Sequence, residues 1–364
     1  MRILIAPDSY KGTLTSADVA RALAEGWQRR RPDDVVLLVP LADGGEGTLA
    51  AIEAAGGWSR VACAVRDPLW RPIAAPWLRS ADGLRAVVEM AAASGLSLVA
   101  AGEQDAQRAT SLGTGDLLRA ALDAGVRDVV VGIGGSATTD GGAGMLGALG
   151  ALVDDGLGSL DLTGLDPRLA QLRLSVACDV SNPLLGPTGA AAVYGPQKGA
   201  SPADVAVLDR RLTRWADALE AATGRSERDT PGAGAAGGVG FALLCLRERF
   251  ASLMLRPGVD LVMEAAGFSA ALDGADLVIT GEGRIDAQTA FGKTALGVAR
   301  RAQAAGVRCI AVGGGVTPEG AAALATVGAL AVPASDPQLP LAEAIAGGTA
   351  PLIACGERLA RQEP

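Results

Sequence analysis

Short apolar runs ending in glycine, aspartate or serine alternate along much of this chain with segments whose apolar residues recur every three or four positions. Buried parallel strands read as continuous Val/Ile/Leu runs and their crossover helices show one apolar face, so the alternation predicts an α/β protein. Residues 2–6 form the first predicted strand and residues 35–40 the second. Between them Val19, Ala22, Leu23, Gly26 and Trp27 share a helical face, with Thr15 placed to cap the helix and Asp18 three residues on. Another helix is expected to begin near Thr48, after the loop PLADGGEGT, and residues 276–280, 308–313 and 329–333 read as three late strands. In the middle of the chain, residues 61–65, 73–78 and 86–89 are strand-like with turn residues and no helix between them, which indicates antiparallel or mixed sheet. Residues 128–133 and 174–178 add two more strands there. The expected architecture is therefore α/β with two domains. One is a Rossmann-like, doubly wound parallel-sheet domain built from both chain ends (1–60 and 275–364); the other is an inserted α/β domain with a mixed sheet (61–274).

Length agrees with that division, since 364 residues exceed what one hydrophobic core usually organises. Hydrophobic residues make up 49% but aromatics only 3%, so the cores must be built from Ala, Leu and Val, with little surface on which to stack bases. A net charge of -8 supplies no positive field for a polyanion or an acidic membrane, and neither nucleic acid nor membrane is expected as a partner. The apolar run at the N-terminus is too short for a signal peptide, and the longest uncharged runs are broken by Gly or Pro, so a cytoplasmic protein is expected. Histidine is absent, which removes the Ser-His-Asp triad, His metal ligands and the commonest general base. The five cysteines are scattered and include no CxxC, so they read as reduced thiols.

Lysine usage narrows the chemistry. Of 32 basic residues only Lys11, Lys198 and Lys293 are lysine, and each adjoins a glycine, a way to hold a phosphate or carboxylate against bare backbone. Glycine gathers in four clusters, at 41–48, 132–144, 231–240 and 280–293. Such loops can close backbone N–H groups around an anion, although tight packing also selects glycine. The nearest glycine before Gly292-Lys293-Thr294 is Gly283, so no Walker A loop is present. Gly132, Gly134 and Ala137, with Asp154 further on, meet a loosened dinucleotide pattern, but the polar Thr138, Thr139 and Asp140 that follow suit an ionic ligand better. Asp8, Asp43, Glu46, Asp140, Asp179, Glu282 and Asp286 stand at or beyond predicted strand ends, where open α/β sheets bind ligands. Carboxylates beside phosphate-cradling glycines make sense with a bridging Mg2+, although single aspartates there also cap helices. Phosphoryl transfer needs a metal, cations on the moving phosphate and an acid residue to take the hydroxyl proton.

The stretches APDSYKGTLTSADVA, PLADGGEGT, VVEMAAASGL, TSLGTGDLL, GIGGSATTDGGAGM, VACDVSNPLLG, GPQKGA, PGAGAAGG and ITGEGRIDAQTAFGK resemble the glycerate kinase family that phosphorylates D-glycerate, over nearly the whole chain. The resemblance implies ATP, Mg2+, a two-domain α/β fold with the site in the cleft, and 2-phosphoglycerate as the usual product. Thr139 departs from a usual Asn, Tyr10 from a common Phe and Ala295 from a frequent Pro, and residues 154–167 are short for the family. On residue type and loop position, Asp179 is expected to take the C2 hydroxyl proton, with Asp8, Asp43 and Asp286 as competitors. Lys11, Lys198 and Lys293, with Arg284, are expected to steady the phosphoryl group and the substrate carboxylate. Gly134, Gly135, Ser136, Thr138, Gly281 and Gly283 are expected to bind the nucleotide together with Lys198. Ser9, Asp43, Glu46, Arg284, Gln288 and Asn182 are expected at the glycerate, and Asp286, Glu282 and Asp140 at the metal. The expected partners are D-glycerate and ATP, in a monomer or small homo-oligomer. Three alternatives remain open: a kinase forming 3-phosphoglycerate, an NAD-dependent dehydrogenase using the Gly132 loop, and a small-anion binding protein.

Overall fold

The computed structural model describes residues 1–291, 294–335, 339 and 341–363. The described residues form thirteen strands, numbered β1–β13 in chain order, and divide into two compact units. The first holds Met1–Asp43, Ala50–Gly56 and Val259–Pro364; the second holds Gly44–Leu49 and Gly57–Gly258. Among the described residues no helix is long and apolar enough to cross a membrane.

The sheet of the first unit contains β1 (Arg2–Pro7), β2 (Val35–Leu38), β11 (Leu277–Ile285), β12 (Arg308–Val316) and β13 (Ala329–Pro333), in the order β13-β12-β11-β1-β2. Every neighbouring pair is parallel. Ile3, Leu4 and Ile5 are all fully buried, as a strand covered on both faces requires. The chain winds outward from β1 to β2 in one direction and from β11 through β12 to β13 in the other. The order reverses between β1 and β11, and in open α/β sheets the crevice beyond the strand ends at such a reversal is where ligands bind.

Thr15 caps the helix Ser16–Gln28, its hydroxyl accepting the Asp18 N–H, and the buried face includes Val19, Leu23, Gly26 and Trp27 as the periodicity predicts. This helix packs on the C-terminal helix Ala350–Gln362 with almost no space between backbones. A Cβ on Gly26 would lie 1.9 Å from the Ile353 carbonyl oxygen, and one on Gly356 would lie 2.3 Å from that of Leu23.

The second unit has the mixed sheet expected for the middle of the chain. Its strands are β3 (Trp58–Arg66), β4 (Pro72–Ser80), β5 (Arg85–Glu89), β6 (Asp128–Gly132), β9 (Arg173–Ala177) and β10 (Ser252–Arg256), in the order β10-β9-β6-β5-β4-β3. The first three pairings are parallel and the last two antiparallel. A separate hairpin joins β7 (Leu152–Val153) to β8 (Leu160–Asp161). The core is largely Leu, Val and Ala around Trp77, Trp215 and Phe241, as the scarcity of aromatics dictates.

Strands 276–280 and 308–313 were expected to stop at their glycines, but β11 and β12 continue to Ile285 and Val316. Glu282 pairs with Gly313, Arg284 with Gly315 and Ile285 with Val316, so two glycine-rich segments extend each other. Part of the 280–293 cluster is therefore strand. The helix crossing yields a direct test: Gly26→Ala improves intrinsic helix propensity by about 1 kcal/mol yet forces the helices apart. Urea unfolding should show net destabilisation of about 1–3 kcal/mol, and a gain in stability would refute the close approach.

Candidate functional site

In the first unit, β1 and β11 deliver carboxylates to the reversal point. Asp8 follows β1 directly, its own N–H bonded to the Gly281 carbonyl (2.8 Å). Its carboxylate accepts the Ser9 N–H at 2.6 Å and the Thr294 hydroxyl at 2.5 Å. Thr294 is fully buried and opens the helix Thr294–Ala304. Burial pushes the Asp8 carboxyl up to about 6; the Thr294 hydroxyl opposes the rise and the negative charge of Asp43 adds to it. A carboxylate raised toward neutrality at a ligand-binding strand end is poised to accept a proton.

Glu282, buried on β11, accepts the Thr289 hydroxyl at 2.5 Å. The same hydroxyl oxygen accepts the Asp286 N–H (3.1 Å), and the Asp286 carboxylate accepts the Gln288 N–H (2.9 Å) and lies 3.3 Å from the Arg284 guanidinium. Arg284 and Gln288 are exposed and Ser9 is half-buried. Lys11 is exposed on a tight loop closed by the Thr13 and Leu14 N–H groups on the Tyr10 carbonyl. Tyr10 is buried and its hydroxyl donates to the Val312 carbonyl, so this loop hangs from β12. Gly281 is required where a Cβ would meet the Val312 carbonyl at 2.3 Å, and Gly283 faces Tyr10. Lys293 lies outside the described residues.

In the second unit, residues 44–49 lie across the carboxyl ends of β6 and β9. A Cβ on Gly132 would stand 2.4 Å from the Gly44 carbonyl oxygen, and one on Gly134 would stand 2.7 Å from the Gly45 Cα. These two glycines are thus accounted for by backbone pressing on backbone, which removes the space a dinucleotide pyrophosphate would use. Glu89 ends β5 with only 6% exposure, its carboxylate accepting the N–H groups of Gly47 (3.2 Å) and Leu49 (3.0 Å). Burial pushes this carboxyl upward against the pull of those two N–H groups. Glu46, on the loop that Glu89 holds, is exposed.

The loop after β6 departs from the expected roles. Lys198 is 2% exposed and its ammonium donates to the Ser136 hydroxyl oxygen (3.0 Å) and the Thr138 carbonyl (2.6 Å). The cation expected at a phosphate is spent inside the protein. Burial brings it down to about 7, with Asp140 opposing the fall. Asp140, expected at a metal, accepts the Ser111 N–H and hydroxyl and the N–H groups of Gly142 and Gly144. Four donors on two oxygens make it the cap that ties together the helices Leu112–Asp123 and Ala143–Ala148. Asn182, expected at the substrate, donates to the Thr188 carbonyl and accepts the Tyr194 hydroxyl, which uses both ends of its amide. The exposed Asp179 accepts the Gly258 N–H at 3.0 Å, at the start of the helix Gly258–Ala265.

Gly135 is exposed with φ +71°, while the Thr138 and Thr139 hydroxyl oxygens are buried without a hydrogen-bond partner. The 231–240 glycines serve packing: a Cβ on Gly237 would lie 1.9 Å from the Thr138 carbonyl, and the Gly141 N–H donates to the Gly237 carbonyl. Glu89, Thr289 and Thr294 were missed by sequence reasoning. Glu89 carried a signal, as the carboxylate that ends the strand-like run 86–89.

The chain matches the model of the glycerate kinase family over residues 3–363. It is similar to a glycerate kinase of Bacillus subtilis (strain 168), with 45% identity over 331 residues, 87% of this chain and 86% of that protein. It is also similar to a glycerate 2-kinase of Escherichia coli (strain K12), with 44% identity over 333 residues, 88% of this chain and 86% of that protein. A crystal structure carrying the name glycerate kinase 2, from Salmonella typhimurium LT2, superposes with a TM-score of 0.86 at 42% identity, covering 100% of this chain and 98% of that one.

The capping role of Asp140 has a measurable consequence. Asp140→Ala leaves buried donors unpaired, each costing about 1–3 kcal/mol, so denaturant unfolding should lose at least about 2 kcal/mol. Unchanged stability would return Asp140 to ligand binding.

Proposed function

The chain belongs to the glycerate kinase family, and from that premise we propose that it transfers the terminal phosphoryl group of ATP to the 2-hydroxyl of D-glycerate, giving ADP and 2-phosphoglycerate in the cytoplasm. The observation that carries the mechanistic reading is Asp8, half-buried at the β1–β11 reversal and raised to about 6. A base for a hydroxyl works best with a pKa near the operating pH. Asp179, the expected base, is exposed, whereas burial raises Asp8 toward the working range, so Asp8 is the better assignment. Asp8 accepts the hydroxyl proton as the oxygen attacks phosphorus, and the Thr294 hydroxyl orients its carboxylate.

Lys11, exposed on its tight loop, and Arg284 hold the glycerate carboxylate or the moving phosphoryl group, with Ser9, Gln288, Asp43 and Glu46 as further polar contacts. Gly135, Ser136 and Thr138 cradle the nucleotide phosphates, and Gly134 shapes the turn that presents them. Mg2+ fits the donor set of the first unit, where Glu282 and Asp286 offer hard carboxylate oxygens on and just beyond one strand. When bound, that ion would offset charge on the phosphates. The dehydrogenase alternative loses support because Gly132 and Gly134 are covered by residues 44–45.

An assay of ADP formation should require D-glycerate, ATP and Mg2+ together, and the 31P–1H couplings of the product should identify the 2-phosphate. A 3-phosphate product would move the acceptor oxygen, and no ADP formation would leave only anion binding. Asp8→Asn should lower kcat by about 100-fold or more. The base must be ionised, so wild-type kcat/KM should fall as pH drops through about 6, a limb the variant lacks. Because the folded-state pKa of Asp8 lies above its unfolded value of 3.8, its stability contribution declines as pH rises from about 4 to 6. The same variant should therefore unfold at no lower temperature than wild type at pH 8, and a marked drop in melting temperature would assign Asp8 a structural role instead.

A further inference from the structure

Lys198 is an unusual place to keep a lysine. The chain uses arginine for nearly all of its positive charge, and this ammonium is buried where a charge is costly unless firmly paired. It sits at the end of the 3₁₀ turn Pro196–Lys198, followed by Gly199 at φ +91°. A compact ammonium places two of its three donors on the Ser136 hydroxyl oxygen and the Thr138 carbonyl. A planar guanidinium with five donors would leave several unpaired. Both acceptors belong to one loop, two residues apart, and neither is a terminal group of a neighbouring core element.

The partners it does not take are equally informative. The Thr138 and Thr139 hydroxyls are buried without a bond, although the Lys198 ammonium lies against the Thr138 carbonyl of the same residue. Buried hydroxyls ordinarily find partners. Here the lysine satisfies the backbone and the Ser136 side chain and leaves the threonine hydroxyls unspent. Asp140, the carboxylate whose charge reaches Lys198, is committed to the Ser111, Gly142 and Gly144 donors, so it supports the ammonium without capturing it.

We propose that Lys198 is a positioning residue for the phosphate donor: its ammonium, pinned between the Ser136 hydroxyl and the Thr138 carbonyl, fixes the path of residues 134–139 and holds the exposed Gly135 turn open to a phosphate. The proposal rests on the reading that this loop takes the nucleotide phosphates. It also replaces direct contact between Lys198 and phosphate, since the buried ammonium has no exposed face to offer. Without Lys198, Ser136 and the Thr138 carbonyl would seek the orphaned hydroxyls, and the loop would close on itself.

The test uses full-length Lys198→Met. Amide hydrogen exchange without substrates reads the loop itself, and steady-state kinetics reads each substrate separately. Faster exchange confined to peptides covering 132–140, with the KM for ATP raised at least tenfold and the KM for D-glycerate within twofold of wild type, is the expected result. The same exchange change with a raised KM for D-glycerate instead upholds the positioning and overturns the donor reading of the loop. A raised KM for ATP with unchanged exchange overturns the positioning in favour of direct contact. No change in either overturns the proposal. If Lys198→Met does not fold, Ser136→Ala removes one of the two acceptors and should shift exchange and the ATP KM in the same directions by about threefold; unchanged values would again overturn the proposal.

Discussion

Backbone pressed against backbone at the carboxyl ends of strands is the constraint on which this molecule depends. Gly132 and Gly134 exist so that residues 44 and 45 can cross the end of β6, and Gly281 exists so that β11 can lie against Val312. Side chains are excluded from such places, so the groups that recognise a ligand must be mounted nearby on the same tight turns. Asp8, Lys11 and Glu46 all stand on segments whose path is set in this way. Glycine richness, which alone reads as loop flexibility, here buys rigid proximity.

Each tight turn needs a fastening, and the chain uses buried or half-buried ionisable groups for it. Glu89 receives two N–H groups of the 44–49 loop, Asp140 receives four donors across two helix starts, and Lys198 holds the loop after β6. A charged group makes hydrogen bonds roughly twice as strong as a neutral one, but it must be fully paired when buried. The three fastenings meet that condition with backbone groups, joined by the Ser136 hydroxyl at Lys198 and the Ser111 hydroxyl at Asp140.

How much of this could be read in the sequence follows from how local each cause is. The helix at 16–28 was legible because its cap Thr15 and its apolar face are fixed by neighbours in sequence. Strand β1 was legible as a run of Ile and Leu. The extension of β11 past Gly281 was not, because glycines there continue a strand only when β12 brings its own glycines alongside, which is a tertiary fact. Strand β10 was missed because it is short and only Leu253 of its five residues is buried. Residue type marked out candidate loops, but it could not separate Lys198 and Asp140, which fasten a loop, from Lys11, which is exposed. Glycine adjacency is the same for both lysines; only burial distinguishes them.

In a chain without histidine, a carboxylate moved by burial is the simplest near-neutral titratable group. The Asp8 environment shows how finely the terms are balanced. Desolvation and the Asp43 charge raise it, the Thr294 hydroxyl lowers it, and the outcome is about 6. More burial would leave the carboxyl protonated at neutral pH, unable to accept a proton. Less burial would leave it ionised but weakly basic. Thr294 matters in this balance because its hydroxyl donates to the carboxylate and opposes the rise that burial imposes. Place alone brings a carboxylate to a strand end, and burial changes what it can do there.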